Sequence, residues 1–547
     1  MMRNVNKRSW AIVCMVCLSL LLLAFTSTAF AKKNRLSVGF TAEEALENLQ
    51  ANESWQYTEM GAIFWPLVYD QLWIMGPAPD YEPLPMIVER WETDDYQTWR
   101  FYLVKNAKFH DGKPVTARDV AFTLWYLPKS NPAWDYPDND IEEKKSIKVI
   151  DDYTVEFTLA AKWPGKYPPA SWMPVLPEHI WMPHKRKLGN FENKKCIGSG
   201  PFKLKKFKGG EYIWMVKNGK YWGEVPAADE VVFKSYGSQD AINMALKKGD
   251  IEFIGYNGVP SMAVEDFKNV ENIDVTISPG IALVWLTFNL HKENGVQDLL
   301  VRQAIMQGID RDRLIQMVYL GYAKPAYSFI YPEMDTYNPN LPKYDFDPEK
   351  AKQMLEQGGY VDSDGDGYRT DKKTGQNMSF EFLVPSAWPD EVKLAKVVKE
   401  QLKDIGIQIE LKVVDLDTYY EFIYTPKEDK FDISISSEEP GPNGAWIWEF
   451  ARGFHHGGAG WNQAYYDNPE FTQTLDAMNS ETDPQQQKEL TFKLQEIIAA
   501  DLPYALLLRA DMIDPYRTDK FEGHVTTMGG LSSWINAWTY FNVRPKK

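Results

Sequence analysis

The chain has 547 residues, a formal charge of −16 and 14% aromatic residues, among them 20 Trp and 29 Tyr. Such a length points to more than one domain around sizeable cores. The acidic balance excludes nucleic acid and anionic lipid as natural partners, while the aromatic excess suits packed cores and ring-lined ligand sites alike.

The first element reads as a secretory signal. Arg3, Lys7 and Arg8 form a basic start, an apolar run extends from Trp10 to Phe25, and Ala29-Phe30-Ala31 supplies a small-x-small cleavage pattern. The run is about 16 residues, short of the roughly 20 that span a bilayer. Cleavage after Ala31 is expected to release a soluble periplasmic chain beginning at Lys32. Loss of the three basic residues moves the formal charge from −16 to −19. Cys14 and Cys17 lie inside the apolar run and leave with it, so Cys196 is the one cysteine of the mature chain and no intramolecular disulfide can form.

Strand-like and helix-like patterns then alternate. Thr98 to Val104 reads as a strand, Asp111 to Pro114 as a turn, and Thr116 as the N-cap of a helix running through Trp125. Gln239 to Lys248 is amphipathic at helical spacing. Asp347 is placed as an N-cap, with Pro348 at the first position of a helix through Gln357. Leu394, Val398, Leu402 and Ile405 share one helix face; Gly406 ends that helix, and Ile407, Ile409, Leu411 and Val413 alternate as a half-buried strand. Helix and strand joined by one glycine is the unit of an α/β domain.

Several segments together resemble one family. Glu89-Arg90-Trp91 precedes Thr98-Trp99-Arg100-Phe101-Tyr102-Leu103, and Phe109-His110-Asp111-Gly112-Lys113-Pro114-Val115-Thr116-Ala117-Arg118-Asp119-Val120 follows. Gly198-Ser199-Gly200-Pro201-Phe202, Phe288-Asn289, Val301-Arg302-Gln303-Ala304, Ile309-Asp310-Arg311 and the Asp347–Gly359 helix come next in order. This series resembles the extracellular solute-binding proteins of the peptide/nickel type, family 5. These motifs are read as scaffold: the Asp111 turn caps a helix, Gly198 to Pro201 lets the chain pass between domains, and Arg302 and Arg311 are expected to fix a helix through ion pairs.

The resemblance implies an α/β fold of the periplasmic binding protein-like type II, with two lobes, a hinge and an extra smaller domain. After the signal (1–31), a discontinuous first lobe would hold 32–75, 195–288 and 515–547, a smaller domain 76–194, and the other lobe 289–514. Crossings near 288 and 515 would act as hinges around a cleft. The implied role is capture of a small soluble ligand for an ABC importer, whose permease and ATPase would be the partners of a monomer. In peptide-binding members a loop of the last lobe resembles a tryptophan, two spacers and an aspartate that pairs with the peptide's amine. The matching stretch, Ile435 to Asn443, puts Glu438 at the aspartate and Ile435 at the tryptophan. Glu438, Glu439, Trp446 and Trp448 are therefore the candidate ligand residues. The altered loop and the Trp excess leave an oligosaccharide open beside the oligopeptide, which is placed ahead.

Enzyme chemistry is set aside. There is no G-x-S-x-G elbow and no H-E-x-x-H pair, the seven histidines form no sequence cluster for nickel or haem, and Cys196 has no evident base. Asp362-Ser363-Asp364-Gly365-Asp366-Gly367 matches the first half of a calcium loop. Position twelve is Lys373 where a bidentate Glu is needed, so a structural calcium site at Asp362, Asp364 and Asp366 stands beside an acidic turn as the alternative. No other cofactor is expected.

Overall fold

The computed structural model describes residues 33–49, 59–77, 81–130, 141, 146–170, 173–185, 191–256, 258–424, 430–440, 448, 450–451, 462–533 and 536–546. The expected signal with Cys14 and Cys17, and Trp446, lie outside them.

The chain opens with β1 (Arg35–Thr41), whose Leu36, Val38 and Phe40 are fully buried. Helix α1 (Glu59–Val68) follows. A small antiparallel sheet comes next, built of β2 (Val88–Thr93), β3 (Thr98–Leu103), β4 (Ile147–Asp151) and β5 (Thr154–Thr158) in the order β2-β3-β5-β4. Helix α2 (Ala117–Ser130) packs on it. The helix starts where the sequence placed it, but the bonds run the other way round: the backbone N–H and hydroxyl of Thr116 both donate to Asp119 Oδ2 at 2.9 Å, so the carboxylate of the first turn reaches back to the residue before the helix. The helix runs five residues past Trp125, with Pro128 inside it.

Strands β6 (Phe202–Lys208), β7 (Tyr212–Lys217) and β8 (Glu230–Tyr236) form an antiparallel meander, and β8 pairs parallel with β1. Helix α3 (Gln239–Lys248) is capped by Ser238, whose hydroxyl accepts the Ala241 N–H at 3.3 Å. Strand β9 (Phe253–Ile254) takes the other edge of β1. The 16-residue β10 (Ile273–Phe288) then leads into α4 (Leu299–Gly308), α5 (Arg311–Tyr319), β11 (Ala323–Pro325) and α6 (Pro348–Gln357). The chain continues through β12 (Ser379–Pro385), α7 (Pro389–Asp404), β13 (Gln408–Val414), α8 (Leu416–Tyr424) and β14 (Ile433–Glu438). Helices α9 (Pro469–Ser480) and α10 (Pro484–Asp501) precede β15 (Tyr504–Arg517).

All of these strands except β2–β5 belong to one 11-stranded sheet, ordered β13-β12-β14-β10-β15-β9-β1-β8-β7-β6, with β11 beside β15. Strands β10 and β15 stand in its middle. At about 3.3 Å per residue, sixteen residues reach roughly 50 Å, enough to serve strands on both sides. Their antiparallel pairing slips between Pro279 and Leu283 and again between Val284 and Trp285. One apolar core gathers Leu286, Phe382, Val398 and Leu507 under β10, β12 and β15. Another joins Phe40, Phe64, Trp181 and Phe233 and continues through Trp285 to Phe329 and Tyr504.

Two scaffold readings change in detail. Arg302 and Arg311 fix their surroundings through backbone carbonyls, with no ion pair to either among the described residues. Arg302 donates to Asp501 O at 2.6 Å and Val296 O at 2.8 Å; Arg311 donates to Tyr344 O at 3.1 Å and Lys343 O and lies 4.7 Å over the Tyr327 ring. A guanidinium carries five N–H donors, and the end of α10 exposes carbonyls that need them. Gly198 and Gly200 are required by close approach: a Cβ on either would fall 2.0 or 2.7 Å from a backbone carbonyl oxygen at the end of α1.

Candidate functional site

Glu438 is the last residue of β14 and pairs with Leu283 of β10, where the pairing of the two central strands resumes after its slip. Residues 433–436 of β14 are buried, while Ser437 and Glu438 are part-buried. The alternation that packs Ile433 and Ile435 in the core thus ends with a carboxylate at the break in the sheet.

Helix α8 faces this strand end with three tyrosines. Tyr419 is buried: its hydroxyl donates to Ile435 O at 2.5 Å and lies 3.3 Å from Ser436 Oγ. Ser436 Oγ donates to Gln463 Oε1 at 2.9 Å, and Gln463 Nε2 donates to the Tyr424 hydroxyl at 3.0 Å. Tyr420 and Tyr424 sit one helical turn apart. Their rings stack at 5.9 Å and 17°, and Tyr420 stays exposed. Trp388 supports Tyr419 edge-on at 5.5 Å.

The electrostatics are one-sided. Burial pushes the Glu438 carboxyl up to about 7, and Glu439 beside it adds to the rise. No side-chain hydrogen bond or ion pair reaches Glu438 among the described residues. Its charge helps lift the phenols of Tyr419, Tyr420 and Tyr424, that of Tyr420 to about 12. The charge of Glu59, at the start of α1, also raises the Tyr420 phenol. Burial also pushes Glu44 up to about 7 and raises Glu59. Glu439 Oε1 accepts from the Tyr256 hydroxyl at 3.4 Å, linking the end of β14 to the segment after β9.

The candidates therefore separate. Glu438 and Glu439 stand together at the end of β14. Trp448 is 2% exposed, with Phe329 at 6.4 Å and Phe471 at 6.3 Å, so its ring is packed in the interior. Asp362, Asp364 and Asp366 form an exposed loop between α6 and β12, with one ligand atom from each within 4.8 Å of the others. Asp371 adds nothing to that loop: it is buried and accepts the N–H groups of Lys373 and Thr374 at 2.7 and 3.0 Å. Sequence reasoning missed Glu44, Glu59, Tyr256, Tyr420 and Tyr424. The i, i+4 tyrosines following Asp415 were a usable signal; the others come from distant segments that carry no motif.

A family model described as Bacterial extracellular solute-binding proteins, family 5 Middle, matches residues 82–479. The chain belongs to this family. Oligopeptide-binding protein AppA of Bacillus subtilis (strain 168) is 31% identical over 437 residues, covering 76% of each chain. Among solved structures, AppA from Bacillus subtilis in complex with a nonapeptide superposes with a TM-score of 0.75 at 24% identity, covering 94% of this chain and 100% of that one. A periplasmic oligopeptide-binding protein of Thermotoga maritima, bound to mannohexaose, gives 0.73 at 22% identity over 95% and 100%. As a family 5 solute-binding protein the chain has the mixed α/β, two-lobe fold of these structures. No helix among the described residues is long and apolar enough to cross a membrane.

Proposed function

We propose that the chain captures an oligopeptide between its two lobes and delivers it to an ABC importer, with Glu438 pairing to the peptide's free amine. The observation that carries this reading is the unpartnered, enclosed carboxylate of Glu438, set where the two central strands lose register. A carboxylate held without a donor gains most from a ligand that brings an ammonium group. The curated relatives named for oligopeptides and dipeptides support the same ligand class. Division into 32–75, 195–288 and 515–547, then 76–194, then 289–514 places the crossings of β10 and β15 at the hinge. Closure around the ligand would present the form the importer's permease and ATPase recognise. Removal of residues 1–31 leaves this reading with a free periplasmic monomer that binds without chemistry.

Native mass spectrometry of the protein as purified, followed by calorimetry with free and N-acetylated peptides, tests the assignment. A ladder of peptide masses, and loss of affinity on acetylation, are expected. A hexose ladder would transfer the cleft to an oligosaccharide, the ligand class of the mannohexaose-bound neighbour.

The Asp362 loop is proposed as a structural calcium site remote from the ligand. The convergence of its three carboxylates supports this.

A further inference from the structure

Five arginines are buried among the described residues, and their partners differ. Arg369 meets Glu356 at 3.4 Å, Arg509 meets Glu333 at 2.6 Å and Arg517 meets Asp519 at 2.9 Å. Arg302 has no carboxylate, but it donates to Asp501 O at the carboxyl end of α10, where the helix dipole is negative. Arg311 has neither kind of partner. Its guanidinium donates to the carbonyl oxygens of Ala326 at 3.4 Å, Tyr344 at 3.1 Å and Lys343, all in the segment after β11. Asp345 and Asp312 favour its charge, yet neither makes an ion pair with it, and burial works against it. Three neutral acceptors leave two of the five N–H donors, and the charge itself, unanswered. A buried cation held in this way is a cost to the fold until an anion reaches it.

Arg311 also lines a cavity, set between the segment after β11, α10 and the start of β15. Its described walls include two cations, Arg311 and Lys343, and no carboxylate. Both cations lie against one ring: the Arg311 guanidinium carbon is 4.7 Å and Lys343 Nζ 5.4 Å from the centroid of Tyr327. Lys343 is exposed and makes no ion pair among the described residues, so it stands at the mouth. Ile498, Leu502 and Leu506 form an apolar wall. Two like charges on one ring, beside a cavity that no acid enters, attract negative charge from solution. The cavity volume is about 20 Å³. On the scale where about 10–15 Å³ holds one water, that admits a single-atom anion and is too small for an organic acid.

We propose that this cavity is a halide site, in which chloride is held between the Arg311 guanidinium and the Lys343 ammonium. The ion ties the segment after β11 to the start of α5 and the end of α10. This assignment is independent of the peptide reading.

The test is thermal unfolding of the mature protein in chloride-free buffer, with chloride titrated in against gluconate at constant ionic strength. The melting temperature is expected to rise by about 2 °C and to level off, as linkage to one site requires. Bromide should reproduce the rise, and crystals grown in bromide should show its anomalous signal between Arg311 and Lys343. Lys343→Met changes an exposed side chain and is expected to move the midpoint of the chloride titration at least about tenfold higher. Arg311→Met should abolish the response. A melting temperature indifferent to chloride overturns the proposal, as does a response unchanged in Lys343→Met. Should Arg311→Met fail to fold, the bromide signal decides: its absence from the cavity overturns the site.

Discussion

Asp70 and Glu438 are two carboxylates lifted above their ordinary range by burial, and the chain treats them in opposite ways. Asp70 follows α1 and is completely enclosed, yet the Tyr221 hydroxyl and Trp222 Nε1 each donate to it at 2.7 Å. Those hydrogen bonds pull against the desolvation that raises it. Glu438 is also raised by desolvation, but no donor among the described residues reaches it, and the charged neighbour acting on it, Glu439, has the same sign. A buried polar group is tolerated when its partners are built in, and is otherwise a standing cost to the fold. The first arrangement locks β7's trailing loop to the end of α1. On the peptide reading, the second leaves the partner to be supplied by the ligand.

Breaking the Asp70 lock should produce the largest effect. Asp70→Ala removes one acceptor from two buried donors, and each orphaned donor costs about 1–3 kcal/mol. Unfolding free energy in denaturant is expected to fall by about 2–6 kcal/mol, while peptide affinity of the folded fraction holds. A loss below about 1 kcal/mol would mean that the lock is no more than surface decoration.

Glu438→Gln should reverse that pattern. Peptide affinity is expected to fall at least about a hundredfold, roughly 2.7 kcal/mol at 1.4 kcal/mol per tenfold, because a buried ammonium loses its counter-charge. The empty protein should gain stability. The folded carboxyl titrates near 7 against an ordinary 4.5, so the fold binds the proton more tightly than the unfolded chain does. Stability therefore declines as pH rises from about 4.5 to about 7, and glutamine removes that decline. The gain above pH 7 is on the order of 1–2 kcal/mol, since Glu438 remains partly exposed. Unchanged affinity together with a lower melting temperature would place Glu438 with Asp70, as construction.

How much of this was legible in sequence follows the range of the interactions. Helix α3 matches Gln239 to Lys248 as read, and α6 begins at Pro348 behind an Asp347 cap, because capping and amphipathic spacing are local. Gly406 ends the region of α7 as expected, at a φ of 83° that favours glycine. The alternation Ile407, Ile409, Leu411, Val413 fades along β13, where Val413 is exposed, because that strand is the edge of the sheet. Nothing local announces that two-residue β9 bridges β1 and β15, or that β10 serves both sides of the molecule. Glu438 was singled out by matching a family loop, and the aromatic run after it drew attention to Trp448, whose ring packs inside.

Acidity sharpens the comparison further. Glu438 is faced by Glu439 and by Tyr419, Tyr420 and Tyr424, and of these groups the carboxyl of Glu438 is the one pushed to about 7. An amine must meet its ionised form. Peptide affinity is expected to weaken above about pH 8, where the peptide's own α-amine loses its proton, and to weaken below pH 7 by up to about tenfold, or 1.4 kcal/mol, per pH unit for each proton that binding displaces. Calorimetry from pH 5.5 to 8.5 reads this slope, and Glu438→Gln should flatten it. A slope that persists in the variant assigns the titration to Glu44, which burial also pushes up to about 7.

The smallest effect belongs to a third kind of acidic site, exposed and answered by its own backbone. In the Asp362 loop, Asp362 accepts the N–H groups of Gly365 at 2.7 Å and Gly367 at 3.0 Å; Asp364 accepts that of Asp366, and Asp366 that of Tyr368 at 2.8 Å. These bonds hold the Asp362 carboxyl below its usual range, and Asn377 Nδ2 adds a donor to Asp366 at 2.6 Å. The loop is thus shaped without help from a cation, and Lys373 stands where a bidentate Glu would complete a calcium set. Binding there must be modest. At free calcium four times its dissociation constant, linkage adds RT ln 5, about 1 kcal/mol, to the folded state. For a chain of this size that is a rise of about 1–2 °C in melting temperature. Chelation should remove the rise, calcium should restore it, and magnesium should fail to, since it dehydrates reluctantly. Asp364→Ala should abolish the response and leave peptide affinity alone. A melting temperature indifferent to chelator and calcium alike would establish the loop as an acidic turn.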